Sequence, residues 1–214
     1  MNYIAIKNNQ SIPLQSIPVL KYEDFLEQNI SLLKESQNHC VNYYGFPQGE
    51  KIKLICCIAN DTEGTIYISS SVMSPFEGGK GDVGVRSFTH HHLAFEKFER
   101  EIHENFGINY TDHPWLKPVR FSAGRADKNS TIANYPFFKI ESEELHEVGV
   151  GPIHAGVIEP GHFRFICNGE QILHLEIQLG YQHRGIEKLF LEKKKILQRT
   201  TLSESIAGDT VAGH

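Results

Sequence analysis

Apolar residues fall at helical spacing from Tyr22 to Gln37, where Phe25, Leu26, Ile30 and Leu33 share one side. That spacing predicts an amphipathic helix over 22–37. Two apolar-rich runs follow, 51–60 and 65–73, parted by Asn60-Asp61-Thr62-Glu63-Gly64. They predict two strands joined by a turn. Phe95, Phe98, Ile102 and Phe106 then align on one face of a helix predicted over 91–106, with Gly107 as its C-terminal stop. Glu96 and Arg100 stand at i and i+4 in the favourable order. Asp112-His113-Pro114-Trp115 predicts a turn, since proline disfavours helix at His113.

The second half has a different pattern. Residues 121–136 are small and polar with no period, which marks a linker. Phe163, Phe165 and Cys167 alternate with His162, Arg164 and Ile166, and Leu173, Leu175, Ile177 and Leu179 alternate with Ile172, His174, Glu176 and Gln178. Asn168-Gly169 lies between the two runs, which predicts a hairpin with positive φ at both turn residues. A helix is expected from about His183, with Ile186, Leu189, Phe190, Ile196 and Leu197 on its buried side and Lys193 to Lys195 exposed. The fold class read from this is α+β. A first domain over 1–120 is a sheet with helices on one side. A linker covers 121–145, and a second domain over 146–214 begins with an antiparallel hairpin and enters a helix.

Composition narrows the function. The 214 residues are enough for a core without disulfides, and 40% apolar with 22% charged is ordinary globular usage. A net charge of −5 argues against nucleic-acid binding. The longest apolar run, Leu54 to Ala59, is too short to span a bilayer, and no signal peptide opens the chain. Cys40, Cys56, Cys57 and Cys167 form no C-x-x-C pair, so a zinc ribbon or a self-contained iron–sulfur site is disfavoured. Cys56 and Cys57 read as reduced core residues of a reducing compartment. Of twelve histidines, five (146, 154, 162, 174 and 183) lie in one short stretch.

Several chemistries lack support. His90-His91-His92 point in divergent directions and read as a polar helix entrance rather than a metal site. The glycine-rich stretch 78–84 does not fit a phosphate cradle, and neither a dinucleotide fingerprint nor a nucleophile elbow is present. Two clusters stand out. Gly151 to Phe165 sets His154, Glu159, His162 and Arg164 among glycines and prolines, which can aim side chains into a cleft. A carboxylate near imidazole and guanidinium suits proton transfer; equally, this can be a polar turn whose histidines satisfy backbone groups. Gly180 to Lys188 sets His183, Arg184 and Glu187 at a helix start, which is also what ordinary helix-end electrostatics would place there.

Taken together, G-P-x-H at 151–154, E-P-G-H-F-R at 159–164 and L-G-Y-x-H-R-G-x-E-K at 179–188 resemble the start of the large subunit of membrane-bound nickel–iron hydrogenases. They also resemble the related D-type component of respiratory complex I (NADH–quinone oxidoreductase). Phe98 to Ile108, followed by His113-Pro114 and Leu116, resembles the C-type component of complex I. A fusion of the two parts is similar to the large subunit of formate hydrogenlyase and hydrogenase-four.

The resemblance implies a peripheral subunit on the cytoplasmic side of a membrane-bound complex, with an iron–sulfur small subunit and membrane subunits as partners. It would be an oxidoreductase only within that complex, with no membrane span of its own. Glu159 resembles the glutamate that relays protons in hydrogenases. His154 and His162 resemble histidines of the loop that lines the quinone cavity of complex I, although the loop is longer here. His183, Arg184 and Glu187 match the stretch near the cluster interface. The first nickel-binding motif, R-x-C-G-x-C-x-x-x-H, falls on Ser205 to His214, with Gly208 and His214 matching but Ala207 and Thr210 at the cysteine positions. Neither can ligate a soft metal as thiolate does, so no nickel–iron centre is expected and no cofactor is held by this chain alone. A quinone is the acceptor the complex I likeness suggests. The chain resembles a C-terminally truncated large subunit, and the contrasting reading is a non-catalytic assembly or docking subunit.

Overall fold

A computed structural model of the chain describes residues 2–74 and 84–206. The fold is α+β and divides into two compact units. The first comprises residues up to 118 together with 124–127, and the second comprises 119–123 and the residues from 128 onward. The glycine-rich stretch 78–84, apart from Gly84, and the positions Ala207, Gly208, Thr210 and His214 lie outside the described residues.

The first unit is built on a five-stranded sheet. Its strands are β1 (Ile4–Lys7), β2 (Val19–Leu20), β3 (Asn38–Gln48), β4 (Lys51–Asn60) and β5 (Thr65–Met73). The order is β1-β5-β4-β3, antiparallel throughout, and β2 runs parallel beside β5. β4 and β5 match the two predicted strands. β3 escapes the pattern because Gly45 and Pro47 interrupt its apolar alternation, which its place at the sheet edge tolerates. Helix α1 (Tyr22–Leu32) stops five residues short of the expected end. Asn38 Nδ2 donates to the Leu32 carbonyl at 2.7 Å and closes the last turn there.

A short parallel pair, β6 (Val85–Arg86) and β7 (Tyr110–Thr111), flanks α2 (Glu96–Phe106). α2 starts later than expected because His92 is extended and its Nδ1 accepts from the Ala94 amide. Gly107 ends it in the left-handed region at φ 72°. The core lies between the sheet and the two helices: Phe25, Leu26, Leu32, Phe88, Phe95 and Ile102 pack on Tyr43, Leu54, Cys56 and Ile58. Ile17, Ile55 and Ile68 form a smaller cluster on the other face.

Three charged residues of α2 are buried, Glu99, Arg100 and Glu104. Glu99 accepts from Ser87 Oγ, from the Phe88 and Thr89 amides and from Thr89 Oγ1. Arg100 donates to the carbonyls of Lys117 and Pro118 and to Glu96. Its guanidinium lies 4.8 Å from the Trp115 ring centroid. The His113 side chain is wholly buried, with its Nδ1 accepting from the Trp115 amide and its Nε2 3.9 Å from Glu99.

Burial pulls the His113 pKa down to about 4, so between pH 6.5 and 4 the unfolded chain takes up a proton that the folded chain refuses. Stability therefore falls as pH drops through that window, by up to about 3 kcal/mol from this group. Burial raises the pKa of Glu99, and its contribution has the opposite sign, present at low pH and lost as pH rises. His113→Asn keeps an acceptor for the Trp115 amide but cannot titrate. Urea unfolding followed by Trp115 fluorescence is expected to lose less stability from pH 7 to pH 4.5 in this variant than in wild type. Equal losses would rule His113 out as the source.

The second unit holds a three-stranded antiparallel sheet of order β10-β9-β8, with β8 (His146–Val150), β9 (His162–Asn168) and β10 (Gln171–Gln178). The hairpin is where the sequence predicts it, but its turn is shifted. Asn168 pairs with Gln171, so the loop is Gly169-Glu170, and only Gly169 has positive φ, at 57°. An irregularity between Ile172 and His174 then sets Leu175 opposite Phe165 and Ile177 opposite Phe163. The single helix expected after His183 is two, α3 (Ile186–Glu192) and α4 (Ile196–Ser203), because Lys193 and Lys195 are extended. Ile196 and Leu197 are 77% and 79% exposed, which corrects their assignment to a buried side.

Candidate functional site

Alternation along β9 and β10 puts His162, Arg164, Glu176 and Gln178 on one face of the sheet and Phe163, Phe165, Leu175 and Ile177 on the other. The polar face is the covered one. Residues 131–138, all within the predicted linker, lie across it. Gln178 Nε2 donates to the Ile132 carbonyl at 3.1 Å, and the Phe138 amide donates to Glu176 at 2.8 Å. The Phe137 ring stacks under Arg164 and meets the His162 ring edge-on. Arg164 also pairs with Glu147 of β8. The apolar face is the open one: Val148, Val150 and Leu175 are 41%, 43% and 45% exposed.

The loop from Gly151 to Gly161 joins β8 to β9. Gly151, at φ 101°, has no room for a Cβ against the Gly161 carbonyl and the His154 ring. This close approach lets His154 Nε2–H donate to the Gly161 carbonyl at 2.8 Å, which pins the two ends of the loop together. The loop then bounds a hollow of about 470 Å³ lined by His154, Val157, Ile158, Glu159, Pro160 and Gln182. A second hollow of about 330 Å³ is lined by Arg120, Pro160, Gln182, His183, Arg184 and Glu187, with Ile186, Phe190 and Ile206 among its apolar walls. Pro160 and Gln182 border both, so the two sequence clusters meet at adjoining cavities.

The six candidate residues divide as follows. His154 and Glu159 line the first hollow, and His183, Arg184 and Glu187 line the second. His162 lines neither. Its ring packs on Phe137 under the covered face, and its buried Nδ1 has no hydrogen-bond partner among the described residues. α3 begins at Ile186 behind Gly185, three residues later than expected, so His183 and Arg184 precede the helix and only Glu187 lies in it; they line one hollow because the turn 180–185 folds back. Arg184 donates to the Ser205 carbonyl and to Gln182, which fixes the rim of the second hollow.

Two contributors have no signal in local spacing. Arg120 lies 3.3 Å from Glu187 and adds a second cation to the hollow, and Gln182 occupies only the variable position of a motif. The arrangement offers a carboxylate and an imidazole at one cavity, and at the next a carboxylate paired with Arg120, with the Arg184 guanidinium also in the lining. Such a set can bind an anionic or carbonyl-bearing ligand and exchange protons with it. Among the described residues no group of three or more His, Cys, Asp or Glu side chains is placed to hold a metal, and no helix is long and apolar enough to cross a membrane.

No family model matches the sequence. The chain is similar to hydrogenase-4 component G of Escherichia coli (strain K12), 34% identical over 96 residues, 45% of this chain and 17% of that protein. It is similar to formate hydrogenlyase subunit 5 of the same organism, 41% identical over 128 residues, 51% of this chain and 22% of the relative. It is also similar to membrane-bound hydrogenase subunit alpha of Pyrococcus furiosus, 32% identical over 62 residues, 29% and 14% of the two chains. The matched stretches span about a fifth of the first two relatives. The kind of protein this chain resembles is thus a subunit of a hydrogenase-like complex.

Proposed function

We propose that the chain is a fused C/D-type component of a complex I-like or hydrogenase-four-like oxidoreductase, with the two adjoining hollows as its proton-handling wall. Electrons arrive from an iron–sulfur cluster on a small-subunit partner, and a quinone is the class of acceptor this reading assigns. Glu159 gives and takes the proton, with His154 beside it. His183, Arg184 and Glu187 form the side turned to the cluster-bearing partner. The complex lies against the cytoplasmic face of a membrane, anchored by other subunits. The reading assigns no nickel to the chain, since Ala207 and Thr210 replace the thiolates a soft metal needs.

The observation that carries the subunit part of this reading is the inverted sheet of the second unit. A sheet that covers its polar face and leaves Val148, Val150 and Leu175 accessible is built to be covered by another surface. Leu175→Asp places a charge on that face, on strand β10 at its edge, where alanine-scale losses at an interface hot spot reach about 2 kcal/mol. The expected result is at least roughly 30-fold weaker retention of the chain in the native complex, with an unchanged circular dichroism spectrum of the chain itself. Full retention would show that this face carries no contact.

The missing thiolates favour a second reading, a docking subunit without chemistry of its own. It predicts the same loss of retention for Leu175→Asp but no effect of removing the Glu159 carboxyl.

A further inference from the structure

Cys40 and Cys56 stand on the neighbouring strands β3 and β4, both turned toward the core beneath α1 and α2. Cys40 opposes Ile58 and Tyr43 opposes Cys56, with a bulge at Val41 between them, so the two cysteines are diagonal neighbours. Diagonal positions in a regular ladder are at the limit of disulfide reach. A bulge bends and twists its strand, and this one lies directly beside Cys40, on the strand that carries it past Cys56 on the same core-facing side of the sheet. Their surroundings differ. Cys56 is wholly buried, whereas Cys40 is only half-buried at the margin of the core. The contact with Cys56 lowers the pKa of the Cys40 thiol, while burial pushes that of Cys56 well up. A partly exposed thiol of raised acidity beside a second thiol is the arrangement that oxidants attack selectively. The other cysteines lack it: Cys57 faces the opposite side of the sheet, with burial pushing its pKa up to about 11, and Cys167 is buried in the second unit.

We propose that Cys40 and Cys56 form a peroxide-responsive dithiol, in which a hydroperoxide oxidises Cys40 and Cys56 closes an intramolecular disulfide between β3 and β4. The Cys40 thiolate attacks one peroxide oxygen, the O–O bond breaks, and the departing oxygen leaves as water after taking a proton. This gives a sulfenic acid on Cys40. The Cys56 sulfur then attacks the Cys40 sulfur; the S–O bond breaks, the S–S bond forms, and hydroxide leaves as water with the Cys56 proton. In sum, two thiols and one hydrogen peroxide give one disulfide and two waters, with two electrons passing to the peroxide. A dithiol reductant reverses the bond.

The test is peroxide titration of the folded, reduced full-length chain, followed by alkylation and peptide mass spectrometry. Alkylatable cysteines are expected to fall from four to two, with a linked peptide containing Cys40 and Cys56 and recovery on adding dithiothreitol. In Cys56→Ala the sulfenic acid on Cys40 has no partner and is expected to be trapped by dimedone. In Cys40→Ala, a change at a half-buried site that leaves the core in place, no cysteine is expected to be lost. Four alkylatable cysteines in wild type after peroxide, or loss confined to Cys57 or Cys167, or a link only between chains, would overturn the proposal.

Discussion

Glu99→Ala is expected to cost the first unit about 4 kcal/mol or more, enough to unfold it in mild urea. The Glu99 side chain is wholly buried and accepts four hydrogen bonds, at 2.6–3.1 Å, from Ser87, Phe88 and Thr89. Alanine would leave those donors buried without an acceptor, and each orphaned buried donor costs about 1–3 kcal/mol. The effect spreads because residues 87–89 hold Phe88, whose ring contacts Phe25, Tyr43 and Phe95 at the centre of the core. Glu99→Gln retains one accepting oxygen and should lose roughly half as much. Trp115, the single tryptophan, belongs to this unit and reports its unfolding separately from the second. A midpoint shift worth less than about 1 kcal/mol in Glu99→Ala would mean that the loop 87–92 is held by other contacts.

Much of this architecture is readable from periodicity, and the failures have identifiable causes. β4 and β5 are evident because burial on both faces makes β4 almost continuously apolar. Ile102 marks the inner side of α2 correctly, and Phe95, just before the helix, is buried as the pattern expects. The same helix gives no hint that Glu99 and Arg100 are interior, because their partners are mostly backbone amides, backbone carbonyls and hydroxyls that no side-chain pattern displays. β8 is missed because its five residues, all exposed, include the helix- and turn-compatible Glu147 and Gly149. Residues 131–138 look unstructured since their order comes from Glu176 and Gln178 of the sheet rather than from any local period. At the candidate site, compact motifs reveal Glu159 and the His183 turn. Arg120 reaches Glu187 through the fold alone and cannot be found by spacing.

The proton-handling reading rests on Glu159. It stands at the end of the loop that His154 fastens to Gly161, beside Pro160 at the boundary of the two hollows. A carboxyl there can alternate between donor and acceptor; a glutamine of the same shape cannot exchange a proton. A positioned acid–base group contributes roughly 10²–10⁴ in rate, so Glu159→Gln is expected to lower turnover about 100-fold or more. Glu159 is exposed in the chain, and exposed substitutions usually change stability by no more than about 0.5 kcal/mol, so assembly should be intact. The decisive measurement is therefore the steady-state turnover of the fully assembled native complex carrying Glu159→Gln, compared with wild type at equal complex concentration. A loss of about two orders of magnitude in a complex of unchanged composition is the predicted result; turnover within twofold of wild type would contradict the account and leave the chain as a docking subunit.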